Sequence, residues 1–350
     1  MFSVEPVYND PFRFRGFRRL LGGNVITYDS GGFAFLTGKL KKLPNPKLTI
    51  YVYRKLGFME HDFLIQLDLP PLPQFPKEKR IELIKRSAEY YHVMRTELSN
   101  VLGVVHGWNR DEIELSFNLI SDPDKVGLGS FTTLTGVVWP SRIALGSYVV
   151  KSVLNNGRVP RRVVFERLNL AFKILRPRVN EIFMLGGSNV NTMHLGFYLG
   201  SKYCDGNAWR IASMLSTIFI PELGRRSIGR KEVSKRLTSE DVEVMRKWWK
   251  HYLNPFKDMM IDVFLNLAKQ PNREGFYYRA LWNAFVTKVE EEIANEYAND
   301  PDRYYRYLSK RWESNSFWKN VLKLVRSNYV QTKLTIYLRH CIEDNYIGRY

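Results

Sequence analysis

The chain has 350 residues, 45% hydrophobic and 14% aromatic, and carries a formal net charge of +18 from 53 Lys and Arg against 35 Asp and Glu. This apolar content excludes a disordered polypeptide, and a cysteine pair as sparse as Cys204 and Cys341 excludes a disulfide framework and fits a cytoplasmic protein. No apolar run reaches the roughly 18–20 residues that span a bilayer, and the N-terminal Met-Phe-Ser-Val-Glu-Pro does not read as a signal peptide, so no membrane association is expected.

The first basic cluster, Arg13, Arg15, Arg18 and Arg19, is interleaved with Phe12, Phe14 and Phe17. The apolar run Asn24–Tyr28 then predicts a strand that ends on Asp29. Further strands are expected at Leu48–Tyr53, Phe63–Leu67, Val101–Val105, Lys125–Leu128, Glu181–Leu185 and Lys202–Cys204. Helices are expected at Glu78–Leu98, Asp111–Leu119, Arg161–Leu175 and Asn191–Leu199. Leu69-Pro70-Pro71-Leu72-Pro73 reads as a rigid turn after Asp68. Alternating strands and helices imply parallel strands with helical crossovers.

Functional-looking groups stand at successive strand ends: Asp29, Asp68, His106-Gly107, Gly127-Leu128-Gly129, Gly186-Gly187-Ser188 and Asp205. A doubly wound sheet would gather such groups at one switch point. Their spread suits a (β/α)8 barrel of the TIM type, in which strand ends converge on one face. Two more basic clusters follow, Arg158, Arg161 and Arg162, then Arg225, Arg226, Arg230, Lys231, Lys235 and Arg236. An excess of this kind attracts polyanions, of which nucleic acid is the commonest.

After Leu237 glycines become rare. Thr238-Ser239-Glu240-Asp241 reads as a helix start, and Asn254-Pro255, Pro271-Asn272 and Asp300-Pro301 divide the remainder into about four helices. The expected organisation is therefore a barrel over residues 1–236 and a basic helical domain over 237–350 whose aromatics form its core.

Two carboxylates carry the chemistry. Tyr28-Asp29-Ser30-Gly31-Gly32-Phe33 holds an aspartate on tight backbone, where the glycines admit a flat ligand. Alone, this motif also fits an Asx turn ending an edge strand. Asp205, in Tyr203-Cys204-Asp205-Gly206-Asn207-Ala208-Trp209-Arg210, would alone fit a cap for a helix from Ala208 to Leu215. Taken together, Asp-Ser-Gly-Gly-Phe after an early strand, Gly-Gly-Ser before a helix and a late strand ending in aspartate resemble the guanine transglycosylase family. Those enzymes exchange guanine in nucleic acid for a 7-deazaguanine. The stretch from Asn191-Thr192-Met193-His194 through Asp205 to Trp209-Arg210 is most similar to the DNA-modifying branch, and the resemblance covers about residues 20 to 235.

The resemblance implies Asp205 as nucleophile and Asp29 as general acid and base. It implies a base pocket from Ser30, Gly31, Gly32 and Phe33, with Asp68 accepting hydrogen bonds from the guanine edge. Gly127, Leu128 and Gly129 would offer main-chain groups, and His106 with Gly107 occupies a place where family members commonly carry glutamine and glycine. Arg210, Arg225, Arg226, Arg230 and Lys231 would hold the nucleic acid, with DNA preferred over tRNA, and His194 would pack on its helix. The implied partners are a 7-deazaguanine base and the proteins of a DNA modification system, and no cofactor is implied.

The clearest departure from the tRNA enzymes concerns metal. Their zinc-binding cysteine cluster has no counterpart between Glu222 and Arg236. Elemental analysis of the purified protein is therefore expected to find no stoichiometric zinc, and a chelator should not unfold it. One tightly bound zinc per chain would overturn this reading. Two rival functions remain from the sequence: the same exchange on tRNA, and a non-catalytic nucleic-acid-binding paralogue.

Overall fold

The computed structural model describes residues 2–3, 8, 18, 25–31, 44–72, 75–120, 142–145, 161–179, 181–185, 189–204, 206, 208–229 and 234–326. It is a mixed α/β chain with two compact units. The first comprises Met1–Leu185 with Ser201–Tyr203, and the second Gly186–Gly200 with Cys204–Tyr350. The chain passes between the units at 185/186, 200/201 and 203/204, whereas composition suggested a boundary at 236/237. Among the described residues no helix is long and apolar enough to cross a membrane.

Seven strands form one sheet in chain order: β1 (Phe2–Ser3), β2 (Thr27–Asp29), β3 (Phe63–Ile65), β4 (Val101–Val105), β5 (Arg142–Leu145), β6 (Glu181–Met184) and β7 (Tyr203–Cys204). Every pair from β1 to β6 is parallel. The crossovers are α1 (Pro46–Leu56), α2 (Lys77–Glu97), α3 (Arg110–Ile120) and α4 (Arg161–Leu175). Strand β5 was not anticipated, and the strand expected at Lys125–Leu128 lies outside the described residues.

The sheet is strongly curled. Phe63 on β3, Phe183 on β6 and Tyr203 on β7 share a core with Ile65, Leu102 and Val104. Their ring centroids lie 5.8 Å (Phe63–Phe183), 5.2 Å (Phe63–Tyr203) and 5.6 Å (Phe183–Tyr203) apart. In a flat sheet β3 and β6 would be roughly 14 Å apart, so the strands must bend round until their inner side chains meet. The other face takes the helices: a Cβ on Gly103 would come within 3.0 Å of Ile120 on α3 and 3.3 Å of Tyr91 on α2. Among the described residues no strand pairing closes the sheet on itself.

Helix α1 replaces the strand expected at Leu48–Tyr53. Leu-Thr-Ile-Tyr-Val-Tyr has strand-like composition, but the local end signals are helical. The Asn45 side chain accepts from Leu48 N at 2.7 Å, Pro46 occupies the first turn, and Gly57 ends the helix at φ 75°. Thr49, Val52, Tyr53 and Leu56 then fall on a buried helical face. One member of the first arginine cluster is structural: Arg18 Nε donates to Asp62 Oδ2 at 2.6 Å, with both side chains fully buried. The same carboxylate accepts from Ile26 N and Met59 N, fixing the approaches to β2 and β3.

The second unit contains α5 (Val190–Leu199), α6 (Ala208–Met214), the antiparallel hairpin β8 (Thr217–Ile220) and β9 (Gly224–Ser227), and α7 (Ser239–Trp249). Helices α8 (Ile261–Lys269), α9 (Arg273–Ala298) and α10 (Pro301–Arg311) follow, and residues 316–326 are also helical. Thr238 and Asp241 form the capping box that starts α7. Trp249, Phe264 and Trp282 pack at the centre, with Trp249 stacked on Trp282 at 5.3 Å, so these aromatics are core. Trp282 Nε1 donates to Phe219 O, and Asn283 Oδ1 accepts from Phe219 N, anchoring the hairpin to α9.

Candidate functional site

The first unit brings six of the expected residues to the C-terminal ends of three neighbouring strands. Asp29 is the last residue of β2, followed by buried Ser30 and by Gly31 at φ 81°. Register pairs Thr27 with Phe63, so Asp29 points to the same face as Ile65, Leu102 and Val104. Asp68 follows β3, and His106 with Gly107 follows β4.

Asp68 and His106 form a buried pair, with His106 Nε2 2.9 Å from Asp68 Oδ2. The His106 backbone N–H donates to Ser116 Oγ, and Leu69 N donates to Ser87 Oγ, which fix the two strand ends on α3 and α2. Gln66 ties them to each other: its Oε1 accepts from Val104 N at 2.9 Å, while its Nε2 donates to Ser87 O. Trp108 Nε1 donates to Pro71 O at 2.7 Å, holding down the proline-rich turn.

Gly107 answers a steric demand. At φ 141° its ideal Cβ would lie 2.6 Å from Ile113 N and 2.8 Å from Glu112 C, where α3 begins. Glu112 in turn accepts from Trp108 N and from Arg80 Nε and Nη2, so this buried carboxylate is spent on structure.

Two tyrosines tie down these strand ends, Tyr53 between β2 and β3 and Tyr8 between the end of β2 and α1, and sequence reasoning named neither. Tyr53 O–H faces Ile65 O at 2.7 Å and Tyr28 O at 3.2 Å. Tyr8 O–H donates to Ser30 O at 2.6 Å and lies 2.9 Å from Thr49 Oγ1. Burial pushes the Tyr53 phenol well up, with the neighbouring Tyr8, Asp29 and Asp68 pushing the same way. Burial likewise raises Tyr8. Both phenols therefore stay protonated and act as donors. Ser30 Oγ is buried with no hydrogen-bond partner among the described residues.

Gly32, Phe33, Gly127, Leu128, Gly129, Asp205, Arg230 and Lys231 lie outside the described residues. The other expected nucleic-acid contacts belong to the second unit. Arg210 is exposed on α6. Arg225 and Arg226 sit on β9, where Arg225 Nε donates to Thr217 Oγ1 at 2.9 Å. Arg226 Nε donates to Asp241 Oδ2 at 2.8 Å and its Nη1 to the carbonyls of Leu223 and Arg225. This guanidinium braces the hairpin against the start of α7.

His194 is fully buried in a polar cluster of the second unit. Its Nδ1 lies 2.7 Å from Tyr304 O–H and its Nε2 2.8 Å from Glu290 Oε2. Arg311 grips both Glu290 oxygens, at 2.8 and 2.9 Å, and Glu222 N donates to Oε1. Burial lowers the His194 pKa, so the ring is neutral, donating from Nε2 to the carboxylate and accepting at Nδ1 from Tyr304. The expectation that His194 packs rather than reacts agrees with this enclosure.

Among the described residues no group of three or more His, Cys, Asp or Glu side chains could hold a metal. No protein-family model and no curated protein matches the chain.

Proposed function

We propose that this protein is a DNA-guanine transglycosylase that replaces guanine by a 7-deazaguanine, such as 7-cyano-7-deazaguanine, on a TIM-type barrel. The observation that carries the reading is the set of Asp29, Ser30, Asp68 and His106 on adjoining parallel strand ends. Strand order supports the barrel: the strands run in chain order without the reversal of a doubly wound sheet, and the sheet curls until β3 meets β6.

The chemistry is two displacements at one carbon. Asp205 attacks C1′ of the target nucleotide as the C1′–N9 bond to guanine breaks, and Asp29 supplies the proton to the departing base. The incoming 7-deazaguanine then gives its proton to Asp29 and displaces the Asp205 carboxylate, reforming a glycosidic bond on the original face. Asp68 accepts from the amino and imino groups of the base, with His106 Nε2 beside its carboxylate at 2.9 Å, and no cofactor takes part. Partners from a DNA modification system would bring the polymer to the enzyme.

The test is to incubate the protein with DNA or tRNA and labelled guanine or 7-cyano-7-deazaguanine, then analyse nucleosides by mass spectrometry. The modified base is expected in DNA. Incorporation into tRNA alone would move the activity to RNA, and incorporation into neither would refute it.

A further inference from the structure

The last two helical segments among the described residues of the second unit form a hairpin pinned at both ends. At its turn the rings of Trp312 and Trp318 lie 5.1 Å apart. At its open end Arg326 stacks 3.7 Å over the Tyr305 ring and lies 4.0 Å from Asp302. The buried face is Tyr304, Leu308 and Trp312 on one arm and Val321, Leu322 and Val325 on the other.

The opposite faces are cationic. From Arg303 to Arg326 the sequence has seven Arg and Lys residues and a single acid, Glu313. Arg311 is consumed by Glu290, while Arg303 stacks over Tyr297 at 4.7 Å and binds Glu296. Arg306, Lys310, Lys319 and Lys323 are exposed, and their side chains have no hydrogen-bond or ion-pair partner among the described residues. Arg306 and Lys310 stand four residues apart on α10, and Lys319 and Lys323 likewise on the following helix, so each pair makes one stripe. Four unneutralised cations on a hairpin locked by stacking resist collapse onto protein carboxylates, which leaves them available to phosphates.

We infer that the hairpin formed by residues 301–326 is a docking surface for a phosphodiester backbone, contacted by Arg306, Lys310, Lys319 and Lys323. The inference rests on the nucleic-acid reading above for the kind of polymer. It moves the main backbone contact away from Arg226, which is committed to Asp241.

The full-length protein and the variant Arg306→Gln/Lys310→Gln/Lys319→Gln/Lys323→Gln should be titrated with fluorescein-labelled DNA duplex, single-stranded DNA and tRNA across a salt series. Loss of four phosphate contacts should lower the slope of log K against log salt by roughly 3 to 4. Lys319→Gln/Lys323→Gln alone should lower it by about half as much, which guards against misfolding of the larger variant. Unchanged slopes in both variants overturn the inference, as does equal binding of the wild type to phosphatidylserine vesicles that displaces DNA. A slope change with tRNA only still supports a phosphodiester surface. Guanine exchange is assayed separately: a lost slope in a protein that exchanges no base keeps the surface and removes the enzyme. Normal exchange with an unaltered slope does the reverse.

Discussion

Asp205→Asn is expected to abolish base exchange, by roughly 10^4- to 10^6-fold, the scale of deleting a covalent nucleophile. An amide oxygen cannot displace guanine from C1′ and leave again as a stable anion, so both half-reactions fail. Asp29→Asn should be milder, about 10^2- to 10^4-fold, because only proton transfer is lost. The two differ in a second readout. With guanine removed from the mixture, wild type should accumulate a denaturation-resistant protein–DNA adduct. Asp29→Asn should form it slowly, and Asp205→Asn should form none. Melting temperature should be near wild type for both. Near-normal exchange by Asp205→Asn, or an adduct in that variant, would remove Asp205 from the nucleophile role.

The parallel α/β character of the first unit was legible because Phe63–Ile65, Val101–Val105 and Glu181–Met184 are short apolar runs bounded by helical periodicity. The helix starting at Ser239 was legible from its capping box. A helix stands at Leu48–Tyr53 in place of the predicted strand because the Asn45-Pro46 and Gly57 end signals outweigh β-branched and aromatic composition. The β8–β9 hairpin was hidden for another reason. Its second strand is Gly-Arg-Arg-Ser, polar enough to read as a phosphate-binding cluster, and its turn places Glu222 at φ 64° where glycine is usual. Within the site, Asp29, Asp68 and His106 could be named from strand ends. Tyr8 and Tyr53 could not, since Tyr8 reaches Ser30 across 22 residues and Tyr53 lay in the misassigned strand. Long-range polar contacts leave no local pattern.

Glu290→Gln should destabilise the fold by about 3–5 kcal/mol, the cost of leaving a buried charge without its partner. In the wild type, Arg311 and two neighbouring donors, His194 and Glu222 N, converge on the Glu290 carboxylate. They hold its pKa down to about 2 against burial, with Arg311 the largest influence after burial itself. A neutral amide leaves Arg311 facing no anion in a dry site and presents an N–H₂ to donors. The double variant Glu290→Leu/Arg311→Met should recover much of the loss, because it removes both charges together. The cluster also sets the acid response. His194 has a lowered pKa, so the unfolded chain binds its proton first, and stability falls as pH drops below about 6.5. Glu290, also lowered, contributes stability that is present above about 4.5 and is lost as pH falls toward 2. Chemical denaturation of wild type between neutral pH and pH 3 should therefore show a decline in two stages, and Glu290→Gln should start lower and lack the second. A flat profile, or a double variant no more stable than Glu290→Gln, would mean that the charges are not what holds α5, α9 and α10 together.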